Sequence, residues 1–208
     1  MCNKKLIIID CDGVLYHSSE LDINAMVNYA FGVACHDFNI SIDDVDLDEI
    51  CKYPSYYAFI DNLAKQHCIK TDDFIAQMIK YVDYSRLTPD NTGVLQKIQD
   101  LTQRYKLCIC TNNHIMHVNK ILNAKFNISS DQFPCEIFDT RYANLDGVFY
   151  SKESDVFISK LEKHFGINAR DFLWIDDTQH VIDTVKSAGC NGILVTDSNR
   201  LIDILNQL

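Results

Sequence analysis

An apolar run that stops at two acidic residues, LIIIDCDGVL at residues 6–15, sets the framework of this chain. Its first four residues are apolar and mostly β-branched, which is typical of a strand buried on both faces. Asp10 and Asp12 follow, and in an extended chain their side chains project to the same side, about 6.5–7 Å apart. One carboxylate can attack a phosphoryl group placed between them while the other donates a proton. The alternative is that Asp12 and Gly13 only form a turn.

Four further apolar runs predict strands, and helical patterns separate several of them. The predicted strands are Leu107–Cys110, Pro134–Phe138, Phe172–Ile175 and Gly192–Val195. The predicted helices between strands are Gly93–Tyr105, Ser154–Phe165 and Thr178–Ala188, the last followed by Gly189 as a C-terminal cap. Strands that alternate with helices indicate an α/β fold with a parallel sheet.

The segment after the first strand has a different pattern, because it contains helix-compatible stretches and no convincing buried strand. These stretches are Ile23–Cys35, Ile42–Cys51, Tyr56–Gln66 and Asp72–Tyr84. We predict that residues 18–85 form a helical cap, and that residues 1–17 and 86–208 form the α/β core. An insert that leaves after the first strand emerges at the carboxyl edge of the sheet, where open α/β sheets bind ligands. Its acidic run, Asp43, Asp44, Asp46, Asp48 and Glu49, is interpreted as solvated.

Composition and charge narrow the classes of function. The chain has 208 residues, of which 47% are hydrophobic, so it can bury one large core with at most a smaller insert. Its 29 acidic and 19 basic residues give a net charge of −10. The longest basic cluster is Lys4 and Lys5. A surface of this charge repels polyphosphate backbones, so binding to nucleic acid polymers is not expected.

The nine cysteines do not predict a disulfide framework, because their number is odd, the chain is long and the spacing lacks paired zinc motifs. Cys2 is the first of them. Reduced thiols suit a reducing cytoplasm. No apolar run reaches the ~18 residues of a membrane helix. The N-terminal apolar stretch is also shorter than the ~7–15 residues of a signal-peptide core, so we expect a cytoplasmic protein that does not contact membranes.

Polar side chains follow two of the other predicted strands. Thr111 offers a hydroxyl, and Asn112 after it offers a backbone N–H suited to an anionic oxygen. Asp176 and Asp177 are adjacent carboxylates, which repel each other unless they share a cation or a proton, and oxygen ligands favour Mg²⁺. Taken singly, Thr111 can be a helix N-cap and the aspartate pair can be a capping pair. Their combination at one sheet edge favours a catalytic site.

These motifs, in this order, resemble the haloacid dehalogenase-like hydrolase superfamily over residues 1–17 and 88–197. The resemblance implies a Rossmann-like sheet with a helical cap and a phosphatase that uses Mg²⁺. It implies that Asp10 is the phosphate-accepting nucleophile. It also implies that Asp12 is the general acid/base and binds Mg²⁺ through its backbone carbonyl. Thr111 and Asn112 would bind the transferring phosphoryl group.

The remaining family roles fall on an acidic pair and a lysine. Asp176, supported by Asp177, would be the main acidic ligand of Mg²⁺. Lys152 would offset the charge between nucleophile and phosphate and contact the substrate, although the proline that often follows this lysine in similar proteins is absent. The implied reaction forms an aspartyl-phosphate on Asp10, which water then cleaves. Because Asp12 must carry a proton for the leaving alcohol, we expect its pKa to be raised.

The presence of Asp12 disfavours dehalogenation, because a departing halide needs no proton. A phosphomutase of the same superfamily stays open, as does a non-catalytic phosphate-binding or receiver-like signalling module. Receivers, however, carry adjacent acids on the first strand, whereas here they follow a late one. The expected partner is a small phosphate ester, and the oligomeric state stays undetermined.

The substrate has to be recognised by the cap. The sequence is similar to the pyrimidine 5′-nucleotidase branch in Tyr16 and in the aspartate pair, which makes a nucleoside 5′-monophosphate one candidate. Four aromatic residues of the cap, Tyr53, Tyr56, Tyr57 and Phe59, either stack on a base or pack within a helical bundle. His114 and His117 share one helical face without an apparent carboxylate partner, and we interpret them as a surface or loop pair.

Overall fold

A five-stranded parallel sheet organises the chain, and the computed structural model describes residues 5–45 and 47–208. The strands are β1 (Leu6–Ile9), β2 (Lys106–Cys110), β3 (Glu136–Phe138), β6 (Phe172–Asp176) and β7 (Asn191–Leu194). A separate antiparallel hairpin contains β4 (Asn144–Leu145) and β5 (Val148–Phe149). The sheet order is β3-β2-β1-β6-β7, with every neighbouring pair parallel. The predicted α/β fold is confirmed.

The central strand β1 is buried on both faces. Ile8 pairs in register with Cys108 of β2 and with Trp174 of β6. Alternate side chains point to opposite faces. Ile7 and Ile9 therefore belong to one hydrophobic cluster while Ile8 belongs to another. The parallel direction places the residues that follow β1, β2 and β6 at one edge.

Helices cover both faces of the sheet. They are α4 (Val94–Leu101), α5 (Ile115–Phe126), α6 (Asp155–Phe165), α7 (Gln179–Ser187) and α8 (Leu201–Asn206). Helices α4, α5 and α8 contribute to the cluster around Ile7 and Ile9, and α6 and α7 contribute to the cluster around Ile8. Gly189 follows α7 with a positive φ of 88°, as expected of a capping glycine.

The segment between β1 and α4 is helical, with α1 (Ile23–Asp37), α2 (Tyr56–Gln66) and α3 (Thr71–Lys80). Asp22 and Ser55 cap the first two by accepting hydrogen bonds from backbone N–H groups of the first turn. Both α1 and α2 pack against α3. The division into a core and a cap at residues 18 and 85 stays a prediction.

Two predicted helices of this segment differ in the structure. Over residues 42–51 the chain forms two 3₁₀ turns, Ile42–Asp44 and Leu47–Lys52, because closely spaced like charges disfavour a continuous helix. The helix predicted to reach Tyr84 ends at Lys80, and a separate 3₁₀ turn, Tyr84–Arg86, follows. The Asp83 side chain accepts a hydrogen bond from Ser85 N and so starts that new turn.

Three positions named above, Cys2, Lys4 and Asp46, lie outside the described residues. The other eight cysteines lie in the described part of the chain and form no disulfide bonds there. Within residues 5–45 and 47–208, every helix is too short or too polar to cross a membrane.

Candidate active site

The residues that follow β1, β2 and β6 meet at the carboxyl edge of the sheet. Backbone hydrogen bonds fix two of them, because Asp10 N donates to Ile175 O at 2.9 Å and Thr111 N donates to Phe138 O at 3.0 Å. An open pocket at this edge is lined by residues from four separate parts of the chain, including Asp10, Asp12, Thr111, Asn112, Lys152 and Asp177. The structure therefore brings the predicted site residues together.

Lys152 joins two buried carboxylates of the site. Its Nζ lies 2.6 Å from Asp10 Oδ1 and 2.7 Å from Asp176 Oδ2. Only 4% of Lys152 is exposed, and Asp176 is fully buried. The Lys152 backbone N–H donates a hydrogen bond to Asn112 Oδ1 at 2.7 Å. This bond connects the segment that contains Lys152 to the loop after β2. These contacts hold Lys152 at the site, although the proline that often follows this lysine in similar proteins is absent here.

The electrostatics show a shortage of positive charge. Burial raises the pKa of Asp10 well above its usual range, and Asp176 and Asp12 add to this effect while Lys152 opposes it. Burial and the neighbouring Asp176 also raise the pKa of Asp177. For Lys152, burial works against its charge, but Asp10 and Asp176 outweigh burial and raise its pKa. The single ammonium group of Lys152 cannot neutralise the three carboxylates of Asp10, Asp176 and Asp177.

A divalent cation fits this charge shortage. Carboxylate oxygens of Asp10, Asp176 and Asp177 all lie within 4.8 Å of one another. Asp176 Oδ2 is buried and, although close to the Lys152 ammonium, lacks a well-aligned hydrogen bond. Oxygen-only donors of this kind suit Mg²⁺. The donor set therefore fits the predicted metal.

The Asp12 side chain contacts a different set of residues from the three carboxylates of Asp10, Asp176 and Asp177. Its Oδ1 accepts a hydrogen bond from the Tyr16 hydroxyl at 2.6 Å and lies 2.8 Å from His117 Nε2. Its Oδ2 accepts hydrogen bonds from Asn113 Nδ2 at 2.6 Å and from the Thr111 hydroxyl at 3.5 Å. β1 ends at Ile9, so Asp12 lies in a turn and not on an extended strand. The metal contact predicted for the Asp12 backbone carbonyl stays a prediction.

This environment makes the expectation of a raised pKa for Asp12 wrong. Burial raises the pKa of Asp12, but the charge of His117 and hydrogen bonds from His117, Tyr16 and Asn113 together outweigh it. The net effect holds the pKa below its ordinary value of 3.8. The sequence suggested neighbouring carboxylates as the dominant influence, whereas the structure surrounds Asp12 with donors that favour the ionised form.

The structure corrects the interpretation of His114 and His117 as a surface or loop pair, since they are 3% and 4% exposed and His117 lies within α5. His117 reaches Asp12 through Nε2, and its Nδ1 lies 2.6 Å from the Tyr84 hydroxyl. His114 caps α5 by accepting from Met116 N. The carboxylate partner of His117 was not apparent from the sequence, because Asp12 is 105 residues away from it. The sequence feature that could have indicated a role in the site is that both histidines follow closely after Thr111, a predicted site residue.

Gly13 allows Asp177 to approach the turn after β1. The φ angle of Gly13 is +71°, and a Cβ atom there would lie 1.9 Å from Asp177 Oδ2. A side chain at position 13 would therefore collide with a proposed metal ligand.

Comparisons with known proteins agree with this arrangement. The family model of haloacid dehalogenase-like hydrolases matches residues 4–189. A comparison with curated protein sequences finds no significant match. Solved structures share the fold at low sequence identity, so their likeness to this chain concerns the fold alone.

Three such structures illustrate this similarity. A HAD family enzyme from Bacteroides thetaiotaomicron, crystallised with magnesium and inorganic phosphate, has a TM-score of 0.56 and 15% identity, covering 93% of this chain and 94% of that one. The D10N mutant of CbbY from Rhodobacter sphaeroides, crystallised with xylulose-(1,5)bisphosphate, has a TM-score of 0.61 and 14% identity, covering 95% and 90%. A hydrolase from Pseudomonas syringae has a TM-score of 0.58 and 18% identity, covering 98% and 89%.

The family model covers most of the sequence, and the fold comparisons extend over nearly its whole length. The chain belongs to the haloacid dehalogenase-like hydrolase family.

Proposed function

We propose that this hydrolase is a Mg²⁺-dependent phosphomonoesterase that acts on a small phosphate ester through an aspartyl-phosphate intermediate. The observation that carries the proposal is the convergence of Lys152 on Asp10 and Asp176, at 2.6 Å and 2.7 Å. Asp10 follows the central strand and lines the open pocket, so a phosphoryl group can reach its carboxylate. Phosphate-bound neighbours of the same fold support the choice of substrate.

In the first step, an Asp10 carboxylate oxygen forms a bond to phosphorus while the bond between phosphorus and the ester oxygen breaks. Asp12 gives its proton to the departing alkoxide, so the alcohol leaves neutral. In the second step, Asp12 takes a proton from water as the water oxygen attacks phosphorus. The bond between Asp10 and phosphorus then breaks, which releases inorganic phosphate and restores the Asp10 carboxylate.

Compensation of charge lets a carboxylate approach a phosphate. Lys152 places its ammonium beside Asp10, and the Thr111 hydroxyl and the Asn112 backbone N–H are the proposed donors to the phosphoryl oxygens. When held by Asp10, Asp176, Asp177 and the Asp12 carbonyl, Mg²⁺ would supply Lewis-acid stabilisation of the charge on those oxygens. Together these groups spread positive potential over the transferring group.

Asp12 needs a proton in the first step, whereas its surroundings favour the ionised form. A doubly charged phosphate bound beside Asp12 acts in the opposite direction, because a neighbouring negative charge favours the protonated carboxyl. Substrate binding therefore prepares Asp12 for its role as the acid. Once the alcohol has left, the hydrogen bonds from Tyr16 and Asn113 stabilise the carboxylate that has to act as the base.

Release of phosphate from an aryl phosphate tests the proposal. We expect turnover with Mg²⁺, none with EDTA, and none in Asp10→Asn, which keeps the shape of the side chain but removes its nucleophilic charge. Turnover that survives the Asp10 substitution would refute the mechanism. A phosphomutase remains the alternative, and it would transfer label between two positions of a sugar phosphate without a matching release of free phosphate.

The finer proposal is that the ester is a nucleoside 5′-monophosphate. It is supported by Tyr56 and Tyr57, which line a cavity next to the site. Comparison of pyrimidine monophosphates with hexose phosphates tests it directly. Faster hydrolysis of a hexose phosphate would contradict this assignment while leaving the phosphatase proposal intact.

A further inference from the structure

A second cavity lies between the helices α1–α3 and the loop after β2. The volume that a water-sized molecule can occupy in it is about 50 Å³, and the cavity is partly open to solvent. Its walls are mainly apolar and include Val27, Ile60, Met78 and Ile79, with Asn112 and Asn113 on the opposite side. The proposed phosphatase chemistry takes place in the neighbouring polar pocket, so this cavity needs its own explanation.

The cavity adjoins the catalytic pocket on the side of Asp12. Asn112 and Asn113 line both spaces, and His117 lines the apolar one. Asn113 and His117 are also the residues that contact Asp12, at 2.6 Å and 2.8 Å. Because Asp12 delivers the proton to the leaving oxygen, the alcohol portion of the substrate has to lie on this side. The alcohol portion therefore points towards the apolar cavity.

The wall chemistry limits what that alcohol can be. Among the described residues that line the cavity, none is Lys, Arg, Asp or Glu. Burial and the nearby Arg141 lower the pKa of the buried His114, which disfavours a positive charge on its ring. His117 also lines the cavity, but its Nε2 contacts Asp12 and its Nδ1 contacts Tyr84. A second phosphate or a carboxylate would therefore lose its hydration here without gaining a free cationic partner, which is strongly unfavourable. A polyhydroxylated sugar would likewise leave most of its hydroxyl groups without partners.

The walls also favour a flat group. The Tyr57 ring lies nearly parallel to the His114 ring, at 5° and 6.2 Å between centroids, and meets Phe149 edge-on at 4.7 Å. Tyr57 is only 6% exposed, so its ring is fixed by packing. Rigid aromatic faces and aliphatic side chains complement planar, weakly polar molecules.

We propose that the cavity binds the alcohol portion of the substrate, and that this portion is uncharged and carries a planar, largely apolar group. This inference rests on the proposed phosphomonoesterase function, since it uses the proton path from Asp12. The class includes aromatic alcohols and nucleosides, and it excludes bisphosphates and hexose phosphates.

Binding of phosphonates, which resist hydrolysis, tests the inference separately from turnover. We expect benzylphosphonate to bind in the presence of Mg²⁺ at least about tenfold more tightly than methylphosphonate, measured by titration calorimetry. Uridine monophosphate and benzyl phosphate, compared as substrates, distinguish the nucleoside from the aromatic alcohol. Glucose 6-phosphate, also an ester of a primary alcohol, is expected to have a lower kcat/KM than the better of the two.

Two substitutions on α1 provide a matched pair. Val27→Phe fills the cavity and should remove most of the advantage of benzylphosphonate over methylphosphonate. Asn28→Phe adds the same ring to the next residue of the helix, which is exposed, and should leave that advantage unchanged. If Val27→Phe fails to fold, Val27→Ala widens the cavity and should improve binding of a naphthyl analogue relative to benzylphosphonate.

The outcomes separate the two proposals. Equal affinity for benzyl- and methylphosphonate, or equal effects of the two phenylalanine variants, overturns the inference about the cavity even if Asp10-dependent phosphatase activity is found. Cavity-dependent binding without any phosphate release supports the cavity as a ligand site and overturns the phosphatase proposal instead.

Discussion

His117 lies 2.8 Å from Asp12 and connects it to the chain that returns from the helical segment. The contact joins His117 Nε2 to Asp12 Oδ1, and the other ring nitrogen lies 2.6 Å from the hydroxyl of Tyr84, the first residue of the 3₁₀ turn Tyr84–Arg86. An ionised carboxylate only accepts hydrogen bonds, so Nε2 is the donor. We infer that His117 is a positioning residue for the proposed acid/base.

Replacement of His117 tests this role. His117→Phe removes the charge and the hydrogen bond that lower the pKa of Asp12, so this pKa should rise. We expect kcat/KM to fall about tenfold or more, and the limb of its pH profile that reports Asp12 to move to higher pH. Tyr84→Phe keeps the histidine and should have a smaller effect. An unchanged pH profile in His117→Phe would argue for a purely structural role.

Loss of Lys152 should destabilise the protein most when no metal is present. Lys152→Met leaves Asp10 and Asp176 buried together without a counter-ion, and breaking a buried ion pair in this way costs about 3–5 kcal/mol. We expect this loss in urea unfolding with EDTA, and partial recovery with Mg²⁺. The exposed Lys163→Met serves as the control. A loss no larger than that of the control would contradict the prediction.

The affinity for Mg²⁺ should increase with pH. Burial raises the pKa values of Asp10 and Asp177, and both carboxyls have to be ionised to act as ligands. Metal binding therefore releases protons, and affinity can rise by up to about tenfold per pH unit for each proton released. Titration calorimetry at several pH values measures this slope. Asp177→Asn should weaken binding and flatten the slope, and an equally steep slope in that variant would exclude Asp177 as its source.

Alanine substitutions at two glycines with similar φ angles, Gly13 and Gly147, can distinguish the effect of a steric clash from the effect of backbone strain. Gly13→Ala should weaken Mg²⁺ binding, because the new Cβ would displace Asp177. Gly147 also has a positive φ, +83°, but no atom lies within 4 Å of the position of its Cβ. Gly147→Ala should therefore cost only about 1 kcal/mol of strain and leave metal affinity intact. Equal metal affinities in the two variants would show that Asp177 moves freely.

Glu20 should contribute to stability above acidic pH. Its Oε2 accepts hydrogen bonds from Thr88 N at 2.8 Å and from the Thr88 hydroxyl at 2.7 Å, and Lys125 Nζ lies 3.2 Å away. Burial raises the pKa of Glu20, but these hydrogen bonds outweigh it and lower the pKa from 4.5 to about 2.

The contribution of Glu20 is therefore complete above pH 4.5 and is lost as pH falls through about 2. Glu20→Gln should lower the free energy of unfolding by about 1 kcal/mol at pH 7 and by less at pH 3. Urea unfolding at both pH values measures the difference. A loss of stability in Glu20→Gln that is as large at pH 3 as at pH 7 would contradict this role of Glu20.

The strands of the sheet were predictable because a strand buried on both faces of a parallel sheet consists of a continuous run of apolar residues. The first predicted strand has the same bounds in the structure, and the strand predicted at Leu107–Cys110 begins one residue earlier, at Lys106. Long-range polar contacts were not predictable in the same way. The contact between Asp12 and His117 depends on how α5 is rotated at the sheet edge, and no local pattern encodes that rotation.

The position of β1 at the centre of the sheet has a kinetic consequence. Both of its edges are hydrogen-bonded to neighbours, and Leu6 to Ile9 are at most 1% exposed. The amide protons of this strand can exchange with deuterated water only when the sheet comes apart, so they should exchange at the rate set by global unfolding. Asp10 continues from this strand through its hydrogen bond to Ile175, so the proposed nucleophile keeps its geometry until the whole domain unfolds.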